Sequence, residues 1–254
     1  MSEDIIRVED VTVSFDGFKA VNQLNFSMKS DELRVVIGPN GAGKTTLCDA
    51  ITGKVRPTSG KVYFKGKDIT SLPEYKIARM GIGRKFQTPR VFLNLTVFEN
   101  VELSYNREKD VLKTLFSVRS AKDKERIESV IEVCGLKDVM SLPAGILSHG
   151  QKQWLEIGMM VAQDPDLLLL DECVAGMTDK ETEATGELIE ALSREHAILV
   201  IEHDMVFVRQ IARNVTVLHQ GMTLCEGTFD RVQSDPRVIE VYLGSHKSEE
   251  AAVA

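Results

Sequence analysis

The sequence predicts an α/β fold with a buried parallel β-sheet at its core. Short apolar runs recur along the chain, and several are separated by segments of helical periodicity, as in buried parallel strands and their crossover helices. In addition, the run at residues 33–37 leads directly into a glycine-rich loop and then into a helical pattern. The 254 residues are enough for one large domain.

The N-terminal elements are predicted to be antiparallel strands. Residues 5–13 and 21–28 alternate between apolar and polar positions around a turn at Asp16-Gly17, and residues 61–64 form a further short strand. We therefore expect an antiparallel β flank beside the parallel core. The core strands are predicted from the apolar runs at residues 33–37, 82–86, 167–170, 197–201 and 214–218.

The pattern changes between residues 88 and 147. Helical periodicity with charged faces predicts helices at 97–104, 110–116 and 122–134, with no convincing strand between them. This segment is therefore expected to be a helical subdomain inserted into the core. The predicted division is a core of residues 1–87 and 148–243, an insertion of residues 88–147, and a disordered polar tail of residues 244–254.

The loop after residues 33–37 matches the phosphate-binding pattern G-x-x-x-x-G-K-[S/T]. Its glycines allow backbone N–H groups to approach phosphate oxygens, and the helix that follows adds the positive end of its dipole. Lys44 would reach the β- and γ-phosphates, and Thr45 would bind Mg²⁺. A glycine-rich turn without a ligand is the alternative, and the strand before and helix after the loop argue against it. The predicted nucleotide-binding residues are Gly38, Pro39, Asn40, Gly41, Ala42, Gly43, Lys44, Thr45 and Thr46.

A second candidate feature is the pair of acids that ends the apolar run at residues 167–170. In phosphoryl-transfer sites a carboxylate at the end of a strand holds Mg²⁺, and a second acid can polarise the attacking water. Asp171 would take the first role and Glu172 the second. A core strand with a solvated acidic end is the alternative, and the phosphate-binding loop upstream favours the catalytic interpretation.

Ser148 and Gln151 stand at capping-box spacing before a helix with apolar periodicity near Trp154. A helix start explains both residues, but a capped helix N-terminus with small residues can also bind an anion. His203 follows the run at 197–201, where a structural histidine or a contact to the γ-phosphate would fit.

Gln87 and Phe15 are weaker candidates. Gln87 follows the run at 82–86 and could supply a neutral ligand to Mg²⁺ or water. Phe15 could be an ordinary strand aromatic or could stack on a purine base.

Composition limits the other possible functions. The net charge is −7 and the pI is about 5.4, so nucleic acid is not an expected partner. The four cysteines are dispersed without zinc-ligand spacing, which favours reduced thiols and no structural metal. The N-terminus is acidic and lacks an apolar signal core, so any membrane association is expected to come through a partner.

The order of these motifs resembles the ATP-binding cassette family over residues 5 to about 243. The resemblance implies a P-loop NTPase fold with a RecA-like parallel-sheet core, an N-terminal antiparallel β flank and an inserted α-helical subdomain. It makes Phe15 the adenine-stacking aromatic, Gln87 the Q-loop glutamine and His203 the switch histidine. It also implies that the signature Ser148, His149, Gly150 and Gln151 contacts, in trans, the γ-phosphate bound to a partner cassette.

Within that family the sequence is most similar to ATP-binding subunits of branched-chain amino acid and urea importers, and the blocks Ser148–Glu156 and Val174–Thr178 look like the urea branch. The resemblance implies an ATPase using ATP and Mg²⁺, peripheral at the cytoplasmic face of the inner membrane. Its partners would be two membrane-spanning permease subunits, a second ABC ATPase subunit and, indirectly, an extracytoplasmic solute-binding protein. A heterodimer is expected and a homodimer is the alternative.

The main expectation is urea import, with catalysis by Glu172, His203 and Lys44. The alternatives are the same role for branched-chain amino acids, a soluble ABC-type ATP switch acting on nucleic acid or ribosomes, and a P-loop binding protein without turnover. A soluble ABC-type switch usually has two cassettes in one chain or a long coiled-coil insertion, and this sequence shows neither. Glu172 argues against a P-loop binding protein without turnover.

Three positions depart from the family pattern: His149 replaces a glycine of the signature, Cys173 the usual proline and Thr178 the usual aspartate. The sequence offers no explanation for Cys173, whose lack of the proline φ restraint could loosen Glu172.

Overall fold

The computed structural model describes residues 4–85, 90–105 and 121–242. Within them the strands form two sheets, one of four strands and one of six. The strands are β1 (Asp4–Phe15), β2 (Phe18–Lys29), β3 (Leu33–Ile37), β4 (Ser59–Phe64), β5 (Lys67–Asp68), β6 (Ile82–Lys85), β7 (Leu167–Asp171), β8 (Ala197–Ile201), β9 (Asn214–His219) and β10 (Met222–Gly227).

The four-stranded sheet has the order β2-β1-β4-β5 and is antiparallel throughout. The six-stranded sheet has the order β10-β9-β3-β8-β7-β6, in which all neighbours are parallel except the β9–β10 pair. The predicted antiparallel flank and parallel core are both confirmed. The edge strand β10 was not predicted, because its half-exposed residues lack the continuous apolar run of the central strands.

The helices are α1 (Lys44–Thr52), α2 (Glu74–Arg79), α3 (Val97–Ser104), α4 (Ala121–Val133), α5 (His149–Val161), α6 (Asp179–Leu192), α7 (Met205–Ile211) and α8 (Phe229–Gln233). Residues 236–242 are also helical. Among the described residues between β6 and β7 there are helices and short 3₁₀ turns but no strand. The helix predicted at 110–116, the end of the 82–86 run and the tail lie outside the described residues.

The parallel sheet is covered on both faces. In β7, Leu168 and Leu170 belong to one apolar cluster, with side chains of the helices between β6 and β8. Leu167 and Leu169 belong to a second cluster, with α1 and the antiparallel sheet. Because both faces of β7 are buried, its sequence reads as a continuous apolar run.

Candidate active site

The predicted phosphate-binding loop connects β3 to α1. Its turn is closed by a hydrogen bond of 3.1 Å from the Ala42 backbone N–H to the Pro39 carbonyl. Gly43 caps α1 in a left-handed conformation with φ of 99°, and a Cβ there would collide with the carbonyl oxygen of Ala20. Position 43 therefore needs glycine, because only glycine adopts that backbone without strain and leaves β2 room to approach.

Lys44 lies across the loop at the start of α1. Its ammonium donates hydrogen bonds to the carbonyl oxygens of Gly38 at 2.7 Å and Pro39 at 3.0 Å. Burial lowers the pKa of Lys44, and the negative charges of Glu172 and Asp171 oppose that effect. The structure thus places the Lys44 ammonium in contact with the loop and close enough to the two predicted acids to interact with their charges.

The parallel strands β3, β7 and β8 end at the same edge of the sheet. Asp171 at the end of β7 is in register with Ile201 at the end of β8, and Ile201 is in register with Val36 of β3. The residues that follow these strands are therefore neighbours, and ligands of open α/β sheets bind at this edge. His203 Nδ1 lies 4.0 Å from the nearer Glu172 carboxylate oxygen.

The carboxylate of Asp171 has two different environments. Its Oδ2 accepts a hydrogen bond of 3.3 Å from Arg84, whereas Oδ1 is buried and has no hydrogen-bond partner among the described residues. Burial raises the pKa of Asp171, and Arg84 acts against that rise. An anionic oxygen without a hydrogen-bond donor, close to a phosphate-binding loop, fits the oxygen preference of Mg²⁺.

Glu172 follows directly in an uncommon backbone conformation. Its φ is 48°, in the left-handed region that non-glycine residues rarely occupy, and its N–H donates to the Ile201 carbonyl at 3.0 Å. Its side chain is 32% exposed, so water can reach the carboxylate. Strained residues of this kind are concentrated at functional sites, where the surrounding structure holds them.

The signature residues lie at the N-terminus of α5, which begins at His149 rather than near Trp154. Ser148 caps the helix in a capping box with Gln151, as the spacing indicates. The Ser148 hydroxyl also donates to Glu181 of α6 at 3.0 Å, and His149 Nε2 lies 3.2 Å from the Ala175 carbonyl. His149 Nε2 also lies 3.3 Å from Gln153 Nε2, and the tautomer of His149 decides which of these two contacts is a hydrogen bond.

Within the described residues, the hydrogen bonds of the predicted signature side chains run to their own helix and to the segment after Cys173, and none runs to the phosphate-binding loop. Contact with the nucleotide of a second cassette stays a prediction. Gly150 is buried, and a Cβ there would collide with Glu181.

Two other predicted residues have different outcomes. Phe15 ends β1 with 48% of its surface exposed, opposite Phe18 at the tip of the β1–β2 hairpin. An exposed ring can stack on a base, and its role stays a prediction. Gln87 lies outside the described residues.

The structure accounts for Thr178, one of the departures from the family pattern. Thr178 is the N-cap of α6 in a capping box with Glu181. Threonine and aspartate are both favoured at N-caps, so the substitution preserves this end of the helix. Glu181 therefore joins two helix starts, since it bonds to both Ser148 and Thr178.

Sequence reasoning assigned no role to Arg84 or Glu202. Arg84 pairs with Asp49 of α1 as well as with Asp171, and its side chain is 6% exposed. Glu202 is 1% exposed and accepts backbone hydrogen bonds. A charged residue in or directly after a buried strand is a usable signal, since such a charge is rarely fully buried unless it is paired.

A parallel sheet with a phosphate-binding loop after one strand and two acids after another defines a P-loop nucleoside triphosphatase. The sequence matches the ABC transporter family over residues 21–175, and residues 223–248 match the family described as branched-chain amino acid ATP-binding cassette transporter. The chain belongs to the ABC transporter family as an ATP-binding cassette, and it is an ATPase.

Three relatives illustrate the similarity. The high-affinity branched-chain amino acid transport ATP-binding proteins BraF of Pseudomonas aeruginosa and LivG of Escherichia coli K12 are each 37% identical, over 96% of this chain and 99% of theirs. The crystal structure of MJ1267, an ATP-binding cassette of an ABC transporter, in its ADP conformation has a TM-score of 0.82 and 30% identity, over 96% of this chain and 100% of that chain. Among the described residues, no helix is both long and apolar enough to span a bilayer.

Proposed function

We propose that this chain is the ATP-hydrolysing subunit of an importer for branched-chain amino acids. The observation that carries the proposal is the full-length similarity to ATP-binding proteins named for high-affinity transport of those solutes. The match of residues 223–248 to a branched-chain amino acid cassette family supports the same assignment from the C-terminal segment.

In the proposed reaction, the loop of residues 38–43 and Lys44 bind the β- and γ-phosphates, and Glu172 accepts the proton of the attacking water. Asp171 and Thr45 would hold Mg²⁺, which supplies charge neutralisation at the β- and γ-phosphates when bound. His203 lies beside Glu172 and would contact the γ-phosphate. Positioning and electrostatic stabilisation by these groups lower the barrier.

The proposed partners are two membrane-spanning permease subunits, a second ABC ATPase and, indirectly, an extracytoplasmic solute-binding protein, with the chain peripheral at the cytoplasmic face of the membrane. An apolar surface on the helical segment supports a permease contact. We call it the insertion patch, and its exposed members are Phe92, Leu93, Leu142 and Ile146.

The two halves of the insertion patch are held side by side by backbone hydrogen bonds. Val97 N–H donates to the Leu142 carbonyl at 3.0 Å, and Gly145 N–H donates to the Leu93 carbonyl at 2.8 Å. The buried Asn100 accepts from Phe92 N–H at 2.8 Å and so anchors the first half. Contiguous exposed apolar surface of this kind marks interaction sites.

Urea remains the second candidate solute. The motif blocks at Ser148–Glu156 and Val174–Thr178 resemble the urea branch, whereas BraF and LivG are named for branched-chain amino acids. The solute is recognised by other subunits of such a system, so these blocks alone do not outweigh the named relatives.

Uptake measurements test the assignment. A deletion strain should lose high-affinity uptake of radiolabelled leucine and retain uptake of radiolabelled urea. The wild-type gene should restore leucine uptake, and a gene encoding Glu172→Gln should not, because the variant lacks the proton acceptor and general-base catalysis contributes roughly 10²- to 10⁴-fold.

Glu32→Gln is a matched control. Glu32 is a mostly buried glutamate at the opposite end of the parallel sheet, where it accepts a backbone hydrogen bond from Lys29 at 3.0 Å and pairs with Arg34 at 2.6 Å. In the variant Arg34 keeps Glu226 as an ionic partner at 3.2 Å. Glu32→Gln should restore uptake. Loss of urea uptake with normal leucine uptake would favour the urea alternative, and normal uptake of both solutes would exclude the importer assignment.

A further inference from the structure

The buried carboxylate of Glu202 connects the chain segments that follow β7 and β8. Its Oε1 accepts a hydrogen bond of 3.2 Å from the Val174 backbone N–H, and its Oε2 accepts one of 3.3 Å from the His203 backbone N–H. Val174 is two residues beyond Glu172. The Glu202 side chain therefore binds the backbone just after Glu172 and the backbone of His203 itself.

Two further groups complete the surroundings of Glu202. Burial raises the pKa of the Glu202 carboxyl, and the buried Cys173 thiol is one of the neighbouring groups that oppose this rise. The ammonium of Lys85, which is fully buried, contributes a positive charge nearby.

The backbone at Glu172 needs such a restraint. The residue is held at φ of 48°, a conformation that a non-glycine residue keeps only where the surrounding structure imposes it. On the upstream side, Glu172 N–H is bonded to Ile201. On the downstream side, the hydrogen bond from Val174 N–H to Glu202 holds the chain, so the backbone is fixed both at Glu172 and two residues after it.

We propose that Glu202 is a positioning residue, which sets the separation and orientation of Glu172 and His203 by binding the backbone that carries each of them. The inference rests on the proposed function, in which Glu172 accepts the proton and His203 contacts the γ-phosphate. Glu202 itself is 1% exposed and has almost no surface to offer a ligand, so it acts through these two residues.

The test variant is Glu202→Gln, which preserves side-chain volume. A glutamine offers only one acceptor oxygen, so its NH₂ group must face either Val174 N–H or His203 N–H. Because both of these groups are donors, no hydrogen bond can form between them. One of the two connections is lost while the core stays filled. A hydrogen bond to a charged group corresponds to roughly a 10- to 100-fold effect, and we expect kcat for ATP hydrolysis to fall by about that factor.

Nucleotide binding separates positioning from a general structural role. The KM for Mg-ATP and the affinity for a non-hydrolysable ATP analogue should change by less than about 3-fold, because the Glu202 side chain accepts hydrogen bonds from Val174 and His203 and, among the described residues, from none in the phosphate-binding loop. The control Glu32→Gln should match the wild type in both measurements. A wild-type kcat for Glu202→Gln, or a loss of nucleotide affinity comparable with the loss of kcat, would overturn the inference.

A double-mutant cycle with Glu172→Gln gives the sharper result. If Glu202 acts through Glu172, adding Glu202→Gln to a Glu172→Gln protein should slow single-turnover hydrolysis by less than about 3-fold, against the larger effect in the wild-type background. Equal factors in the two backgrounds would refute the inference. Wild-type hydrolysis by Glu172→Gln alone would instead refute the proposed base, whatever Glu202→Gln does.

If Glu202→Gln does not fold, Glu202→Asp serves in the same assays. Aspartate keeps the charge and both acceptor oxygens but is one methylene shorter, so it strains both connections without leaving a donor against a donor. The same selective fall in kcat is expected, and its failure to appear would count against the inference.

Discussion

Replacing Arg84 by methionine should destabilise the protein strongly, because this guanidinium is the shared partner of two carboxylates. The side chain of Arg84 is 6% exposed, and those of Asp171 and Asp49 are 4% and 14% exposed. Removing one member of a buried ion pair leaves uncompensated charge and costs about 3–5 kcal/mol. For a chain of this size each kcal/mol lowers Tm by about 2–4 °C, so we expect a fall of about 10 °C.

The loss of folding stability in Arg84→Met should also depend on pH, and the titration of Asp171 determines whether it grows or shrinks as the pH rises. Burial raises the pKa of Asp171 and Arg84 holds that rise back, so Arg84→Met should raise the pKa further. A carboxyl whose pKa is higher in the folded protein contributes stability below its unfolded value of about 3.9, and that contribution is lost as pH rises through the folded value. The deficit of the variant should therefore be larger at pH 8 than at pH 5.

Thermal unfolding of wild type and variant at both pH values tests this reasoning. The matched control is Arg126→Met, since Arg126 pairs with Asp164 at 3.1 Å and both side chains are nearly half exposed. Exposed pairs contribute at most about 1 kcal/mol, so the control should change Tm little. If Arg84→Met melts within about 2 °C of the wild type, or loses the same amount at both pH values, the buried network does not have the assigned role.

Three further predictions concern the nucleotide site and the insertion patch. Lys44→Ala should abolish tight binding of Mg-ATP, measured by calorimetry, because it removes the cation that faces the loop and both acids; retained affinity would contradict this. Phe92→Asp with Leu93→Asp should leave ATP hydrolysis by the isolated subunit near normal but reduce solute uptake in membranes, and a loss of ATP binding would place this surface in the nucleotide site instead. His149→Gly should change kcat for ATP hydrolysis but leave the affinity of the isolated subunit for Mg-ATP unchanged, because His149 is predicted to contact the nucleotide of a partner cassette; an unchanged kcat would limit His149 to its contact with the Ala175 carbonyl.

Local sequence patterns were sufficient for the sheet core and for the phosphate-binding loop. The run at residues 167–170 is buried on both faces, so its apolar character does not depend on neighbours that the sequence hides. Gly43 can be read equally directly, because its left-handed φ is a property of the loop itself. The spacing of Ser148 and Gln151 likewise predicted a capping box, which the structure contains.

Contacts between distant segments could not be read in the same way. Ser148 bonds to Glu181, 33 residues away, and Glu202 accepts from Val174, 28 residues earlier. Nothing in either local pattern specifies which residue will be the partner, since the pairing depends on how β7, β8 and α5 are arranged. The sequence could indicate that Glu202 needs a partner, because it follows a buried strand, but it could not identify that partner.

The two basic residues of β6 show how buried charge fixes this part of the fold. Arg84 pairs with Asp49 and Asp171 on the α1 side of the sheet, whereas Lys85 Nζ lies 3.9 Å from Glu156 of α5 on the other side. A slip of β6 by one residue would exchange the two faces of the strand. The Lys85 ammonium would then face Asp49 and Asp171, and the Arg84 guanidinium would face Glu156.

An apolar strand end would tolerate such a slip better, because its side chains are interchangeable. These three ion pairs contribute mainly to the register of β6 against β7, and the desolvation of their charges offsets most of what they add to stability. This register matters for the site because β6 lies at the edge of the described sheet next to β7, and the chain continues from its last residue toward Gln87. The same arginine that orients Asp171 thus also fixes the strand from which the chain enters residues 86–89.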